Sequence, residues 1–370
     1  MSAFSKKLSL AMIVKNEARC LARCLRSVMN IADEIVVVDT GSTDSTVRIA
    51  EEFNATVARF GWINDFSAAR NFALGKTTGD WILVLDADEF ATEALALEIQ
   101  KFVQGPPVIG RLKIVSGFQF NGQIQRSQSF VSRLFPRGAQ FAGRIHEQVV
   151  SSLPRVNLRG ELSHDGYLET GKSDRNVKLL LAELKREPGN AYFLFQLALE
   201  YASLDEPDKS FQCLQKALAR MQPGDPFAPN IVVDFLYAAI ALKKFTAGLE
   251  VIASAGNRLD DFPDFHHVCG LFYMNLVRSD AAAYIGEVPK IEQSFRRCLA
   301  LGETDKYKSV HGTGTFLANY NLGVFHHVLD NQAEAQHCFQ SAAQQGYAPA
   351  EAMLRKLKPS HSAANMPSNA

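Results

Sequence analysis

The sequence has no surplus of either charge: 39 Lys and Arg stand against 39 Asp and Glu in 370 residues, giving a formal net charge of zero. Neutralising nucleic-acid phosphates takes an excess of Lys and Arg, so a generally basic nucleic-acid binder is excluded. No run approaches the roughly 20 apolar residues that a membrane-spanning helix needs. The six cysteines are scattered and form no C-x-x-C pair, which predicts neither a zinc ribbon nor a disulfide framework. Met1–Lys7 leads straight into a strand-like run without the apolar core of a signal peptide, so a cytoplasmic location is expected, with the inner face of a membrane as a variant. What is present is 47% hydrophobic and 21% charged residues, an ordinary globular composition at a length that suggests about two domains.

Up to about residue 172, short β-branched runs alternate with helical segments. Leu8–Val14, Glu34–Val38, Thr56–Phe60 and Trp81–Leu85 read as strands; Glu17–Asn30, Ser45–Phe53 and Phe66–Gly75 read as helices. That alternation predicts an α/β domain with a mainly parallel, Rossmann-like sheet covered on both faces. Residues 173–358 read as helix after helix. Leu194, Leu197, Ala198, Tyr201, Leu214 and Ala217, and again Leu322, Gly323, Ala335, Phe339 and Ala342, follow the spacing of tetratricopeptide repeats. Residues 359–370, rich in Ser, Asn and Pro, read as a disordered tail.

The polar residues with chemical potential cluster where the strands end, which is where parallel sheets bind ligands. In WILVLDADE a buried strand delivers Asp86 and Asp88, two hard oxygen ligands suited to Mg²⁺ or Mn²⁺. An extended backbone would turn both carboxylates to one side. In VVVDTGSTDS, Asp39 is placed to accept hydrogen bonds from a ribose or a base edge, and Thr43 or Asp44 to cap the next helix. Arg70, in DFSAARNFA, offers a rigid donor fork to a diphosphate or to a surface ion pair.

LSLAMIVKNEARCLARCLRSV, DEIVVVDTGSTDSTVRIAEEF, WINDFSAARNFAL and TGDWILVLDADE occur in that order. Together they resemble the family 2 glycosyltransferases of GT-A fold, in the subgroup with a C-terminal tetratricopeptide domain. The resemblance is strong over residues 8–90 and extends more weakly, through GRIHEQV and HDGY, to about residue 200. It implies inverting transfer of a sugar from a nucleotide-diphosphate donor, UDP-linked hexose by family, to a saccharide, glycolipid or peptide acceptor. It places Val14, Asn16 and Asp39 on the nucleoside and Arg70 on the diphosphate. Asp86 would approach the ribose or the metal's water shell, and Asp88 would hold Mn²⁺ or Mg²⁺. Glu147 followed by His164 fits the family order of catalytic base and further metal ligand; His146 and Asp165 are the competing ligand and base. Paired with Arg144, Glu147 would instead be a structural residue.

Between Gly105 and Gly160, eight basic residues face the single acid Glu147, which suggests either a solvated basic face or a surface for an anionic acceptor or membrane. The helical domain is expected to complete the acceptor side or form a homodimer surface. Two other readings compete. One is an interaction scaffold with a degenerate catalytic domain; the other, a nucleotidyltransferase, lacks its glycine-rich loop because AMIVKNE has no glycine.

Overall fold

A computed structural model describes residues 6–120, 123–164 and 173–357. The chain divides into two compact units, up to Glu206 and from Pro207 onward. The break in packing thus falls later than the change of texture near residue 172.

The first unit contains strands β1 (Leu8–Val14), β2 (Glu34–Asp39), β3 (Thr56–Arg59), β4 (Trp81–Val84), β5 (Glu89–Ala91), β6 (Ile109–Phe120), β7 (Gln123–Pro136), β8 (Gln140–Ala142), β9 (Gln148–Val150) and β10 (Arg155–His164). Its helices are α1 (Leu21–Val28), α2 (Thr46–Glu52), α3 (Phe66–Leu74), α4 (Glu93–Phe102), α5 (Ser173–Arg186) and α6 (Ala191–Ser203). The main sheet runs in the order β3-β2-β1-β4-β7-β6-β10-β5. Pairing is parallel from β3 through β4 and again between β6 and β10. Strand β7 runs antiparallel to both β4 and β6, and β5 antiparallel to β10, so the sheet is mixed.

The apolar runs of β1, interrupted only by the buried Ser9, and of β4 follow from burial on both faces. Leu8, Leu10, Met12 and Val14 of β1 join Trp81 and Leu83 of β4 in one core with α1 and α4. The alternate residues Ala11, Ile82 and Val84 join Val36 and Val38 in the other, against Ala73 and Leu74 of α3. A period of two therefore divides each strand between two cores, and each fully buried Leu or Val contributes roughly 1.5–3 kcal/mol. Helix α3 starts where Asp65 accepts a hydrogen bond from Ala68 N at 2.9 Å, a cap worth about 1 kcal/mol. Between β2 on one side and β4 on the other, β1 is the point where the strand order reverses. The loops leaving its C-terminal end and those of its neighbours meet there.

The second unit comprises α7 (Pro207–Leu218), α8 (Ala228–Ala241), α9 (Phe245–Ala255), α10 (Pro263–Ser279), α11 (Ala281–Tyr284), α12 (Val288–Leu301), α13 (Phe316–Val328), α14 (Gln332–Gln344) and α15 (Ala348–Leu357). Helices α10 and α12 pack together extensively, as do α13 and α14. Gly323 permits that approach: a Cβ there would lie 2.8 Å from the Phe339 ring. His267 is buried among neighbours, with Nδ1 3.3 Å from Tyr237 Oη and Nε2 3.0 Å from Asn321 Nδ2. Burial pushes its pKa down to about 4. No described helix is long and apolar enough to cross a membrane.

Candidate active site

The loops after β1 and β2 are tied to each other. Thr40 donates twice to Val14 O, from N at 2.9 Å and from Oγ1 at 3.0 Å. Asn16 adopts φ 57°, a left-handed conformation that Asn tolerates better than most residues. Its N donates to Ser42 Oγ at 2.9 Å and its Oδ1 accepts from Thr43 N at 2.8 Å. Asp39 is buried, and its Oδ1 accepts from Ser42 N at 3.0 Å. Gly41, at φ 110°, makes that tight turn accessible. Asp44 accepts from Thr46 N at 2.9 Å and so steadies the start of α2.

Beside these loops lies a chain of alternating charges. Arg70, 6% exposed, donates from Nε to Glu147 Oε1 and from Nη2 to Asp86 Oδ1, the latter at 2.7 Å. Asp86 Oδ2 accepts from Arg133 Nη2 at 2.7 Å, and the same nitrogen lies 2.5 Å from Glu89 Oε1. Glu89 Oε2 accepts from Asp86 N at 2.9 Å, closing a clamp on the turn. Burial opposes the charge on Asp86, but Arg133 and Arg70 overcome it and hold the carboxyl well below its ordinary range. Glu89 is pushed up by burial, against the pull of Arg133. Two atoms in this cluster, Arg70 Nη1 and Arg133 Nε, are buried without a hydrogen-bond partner among the described residues.

Asp88 and His164 form an adjoining pair, with Nε2 3.4 Å from Asp88 Oδ2 and Nδ1 3.1 Å from Ser116 Oγ. Burial lowers the His164 pKa, but the bond to Asp88 and the charges of Asp88, Glu89 and Asp86 outweigh it, and the net shift is upward. Beneath the site Cys24 Sγ lies 3.5 Å from Asp86 O and Cys20 Sγ 3.2 Å from Glu17 Oε2. Burial pushes Cys20 up to about 12 and Cys24 well above its ordinary value, so both are protonated thiols that serve as packing and weak donors.

The structure places the residues singled out in the sequence in three sets: Val14, Asn16 and Asp39 in the tied loops, Arg70 between Asp86 and Glu147, a grouping not expected from the sequence, and Asp88 beside His164. Several particulars differ from expectation. The DADE segment is a turn with Glu89 N donating to Asp86 O at 3.0 Å, so Asp86 and Asp88 take different partners instead of sharing the side of an extended strand. Glu147 pairs with Arg70 and not with Arg144, whose Nε lies 3.4 Å from Glu183. Arg133 belongs to no solvated basic face: it is buried against Asp86 and Glu89. His146, at φ 51°, sets its ring edge-on to Tyr192. Asp165 and the tail at 359–370 lie outside the described residues. The sequence reading missed the roles of Glu89 and Arg133; Glu89, directly after the aspartate pair, was the available signal.

With the geometry in place, comparison with known proteins identifies the class. Residues 9–159 match the family model described as Glycosyl transferase family 2. Within its first unit the chain thus carries a domain that matches the family 2 glycosyltransferases, built on a mixed sheet, and a helical region follows it. A TPR repeat-containing protein of Synechococcus elongatus is 41% identical over 268 residues, covering 68% of this chain and 65% of that protein. The SPbeta prophage-derived glycosyltransferase SunS of Bacillus subtilis is 31% identical over 221 residues, covering 56% of this chain and 52% of that protein. An uncharacterized glycosyltransferase of Rickettsia bellii is 45% identical over 96 residues, covering 26% of this chain and 32% of that protein. This chain thus spans less than two thirds of the length of each of these relatives.

Proposed function

We propose that this chain is an inverting, divalent-metal-dependent glycosyltransferase that moves a hexose from a UDP-linked donor to a saccharide, glycolipid or peptide acceptor. The observation that carries this reading is Arg70, buried and held between Asp86 and Glu147 at the strand-end crevice of a family 2 domain. Its unpartnered Nη1 is the donor a diphosphate oxygen would satisfy. Val14, Asn16 and Asp39 border the nucleoside, and Asp86 lies towards the ribose.

Asp88 and His164 fit a divalent ion. An oxygen and an imidazole nitrogen 3.4 Å apart suit Mn²⁺ better than Mg²⁺, which takes oxygen ligands, and Ser116 beside Nδ1 fixes the ring as an outer partner does. Among the described residues no third His, Cys, Asp or Glu completes a cage, which leaves positions for phosphate oxygens and water. Such an ion would neutralise charge on the departing diphosphate.

In the transfer, the acceptor atom attacks the anomeric carbon opposite the diphosphate and its proton passes to Glu147. The bond between the anomeric carbon and the diphosphate oxygen breaks, and the electron pair leaves with the UDP. Arg70 faces the charge that develops there, already positioned by its two carboxylate partners. Measuring UDP release from a panel of UDP-sugars with Mn²⁺ tests the reading. Release by the wild type and its loss in Glu147→Gln are expected; an inert wild type across the panel, or a Glu147→Gln variant at full rate, would remove it.

A further inference from the structure

A pocket of about 570 Å³ opens within the first unit, lined by the start of α3, the β8–β9 segment, the end of α5 and the start of α6. Its two guanidinium groups are paired within the lining. Glu183, its side chain only 4% exposed, lies 3.4 Å from Arg144 Nε and 3.3 Å from Arg186 Nη1. Asp65 and Glu187 also line it, so carboxylates outnumber guanidinium groups and a phosphate finds no net positive field. Ala142, Gly143 and Phe193 give too little apolar wall for an acyl chain.

What the lining offers is an aromatic ring beside planar hydrogen-bonding groups. The Tyr192 ring stands edge-on to His146, at 6.4 Å between centroids. Gln148 Nε2 lies 3.4 Å from Tyr192 Oη and 3.1 Å from His146 O. Asn190 Nδ2 donates to Glu187 Oε2 at 2.8 Å. A pyranose presents a C–H face to an aromatic ring and a rim of hydroxyls, each both donor and acceptor, to carboxylates, carboxamides and guanidinium groups.

The location matters as much as the chemistry. His146 and Gln148 line the pocket, whereas Glu147 between them pairs with Arg70. Glu147 and Arg70 are not part of the lining, so a sugar seated here meets the residues on either side of that carboxylate and not the carboxylate itself. We propose that this pocket is an acceptor subsite that takes a saccharide unit other than the reacting one, beside the segment that carries Glu147. The proposal rests on the transferase reading for its role, but its ligand chemistry stands on the pocket alone.

Saturation-transfer NMR on the full chain tests it, with the methyl glycosides of glucose, galactose, mannose and N-acetylglucosamine as probes and inorganic phosphate as competitor. At least one glycoside should bind the wild type and Tyr192→Phe, lose about tenfold or more in Tyr192→Ala, and lose several-fold in Gln148→Ala. Gln148 is exposed, so that variant keeps the thermal midpoint and reads binding without a folding defect. Absence of binding by all four glycosides, equal binding by all variants, or displacement by phosphate at equal concentration would overturn the proposal. Neither donor nor metal is present in this experiment, so a failure of UDP release leaves its result intact, and the reverse.

Discussion

Arg133 Nη2 lies 2.7 Å from Asp86 Oδ2, while the other oxygen of Asp86 lies 2.7 Å from Arg70 Nη2. One carboxylate therefore bridges two buried guanidinium groups, and Glu89 shares the same nitrogen of Arg133 with it. Breaking such a network from one end leaves charge uncompensated. Arg133→Leu should destabilise the first unit by about 3 kcal/mol, the low end for a buried pair because the Asp86 side chain is 35% exposed. Arg133→Lys should recover part of it, and urea unfolding gives both values. In donor turnover Arg133→Lys should raise KM more than it lowers kcat, since Arg133 acts by positioning Asp86.

The pair of His164 and Asp88 gives a pH signature. Its folded pKa lies above the ordinary value, so its contribution to stability is full below about pH 6.5 and is lost as pH rises through the raised pKa. A metal ion needs the deprotonated imidazole, so the two effects oppose each other. The rise in thermal midpoint caused by Mn²⁺ should be larger at about pH 8 than at about pH 6, and should vanish in Asp88→Asn and His164→Ala. Thermal shifts at the two pH values check this.

In the helical unit, burial pushes Asp234 up to about 6 although Lys308 pulls it down. An acid with a raised folded pKa destabilises the folded state above that pKa and has no such effect below the unfolded value, near 4. Asp234→Asn should therefore raise the thermal midpoint at neutral pH by a few degrees, and the gain should disappear as the pH falls through about 4. A midpoint that does not respond at neutral pH would show that the carboxylate carries no such penalty.

The approach of α13 to α14 depends on a missing side chain. At Gly323 a Cβ would come within 2.8 Å of Phe339 and 3.2 Å of the Cys338 Cβ. Gly323→Leu gains about 1 kcal/mol in helix propensity but overpacks a rigid ring, a cost of about 1–3 kcal/mol or more, and the net change should be destabilising. A lower urea midpoint for this variant is the expected result.

Much of the catalytic half was legible in the sequence because its signals are local. Leu8–Val14 is β1 residue for residue, and Phe66–Leu74 is α3 within one residue of its expected end, because apolar runs and an Asp cap act over a few positions. The long β6–β7 hairpin was not legible as a pair: polar residues run together in it, as at Gln125–Ser129, which breaks both the alternation and the apolar runs that mark strands. That hairpin returns β7 beside β4, pairing Leu134 with Leu83, and so carries Arg133 to a turn 44 residues earlier. No spacing rule reports such a contact, so Arg133 read as one of eight surface cations. Glu147 was singled out by the family resemblance and the scarcity of carboxylates around it, but its partner Arg70, 77 residues away, could come only from the fold.

Calorimetric titration of UDP into the full chain, with and without Mn²⁺, bears most directly on the strand-end crevice as a nucleotide-sugar site. Binding in the presence of Mn²⁺, loss of at least tenfold in affinity without it, and a similar loss in Arg70→Ala are the expected results. No heat of binding under either condition, or equal affinity in wild type and Arg70→Ala, would show that the buried arginine and its carboxylates serve only the fold.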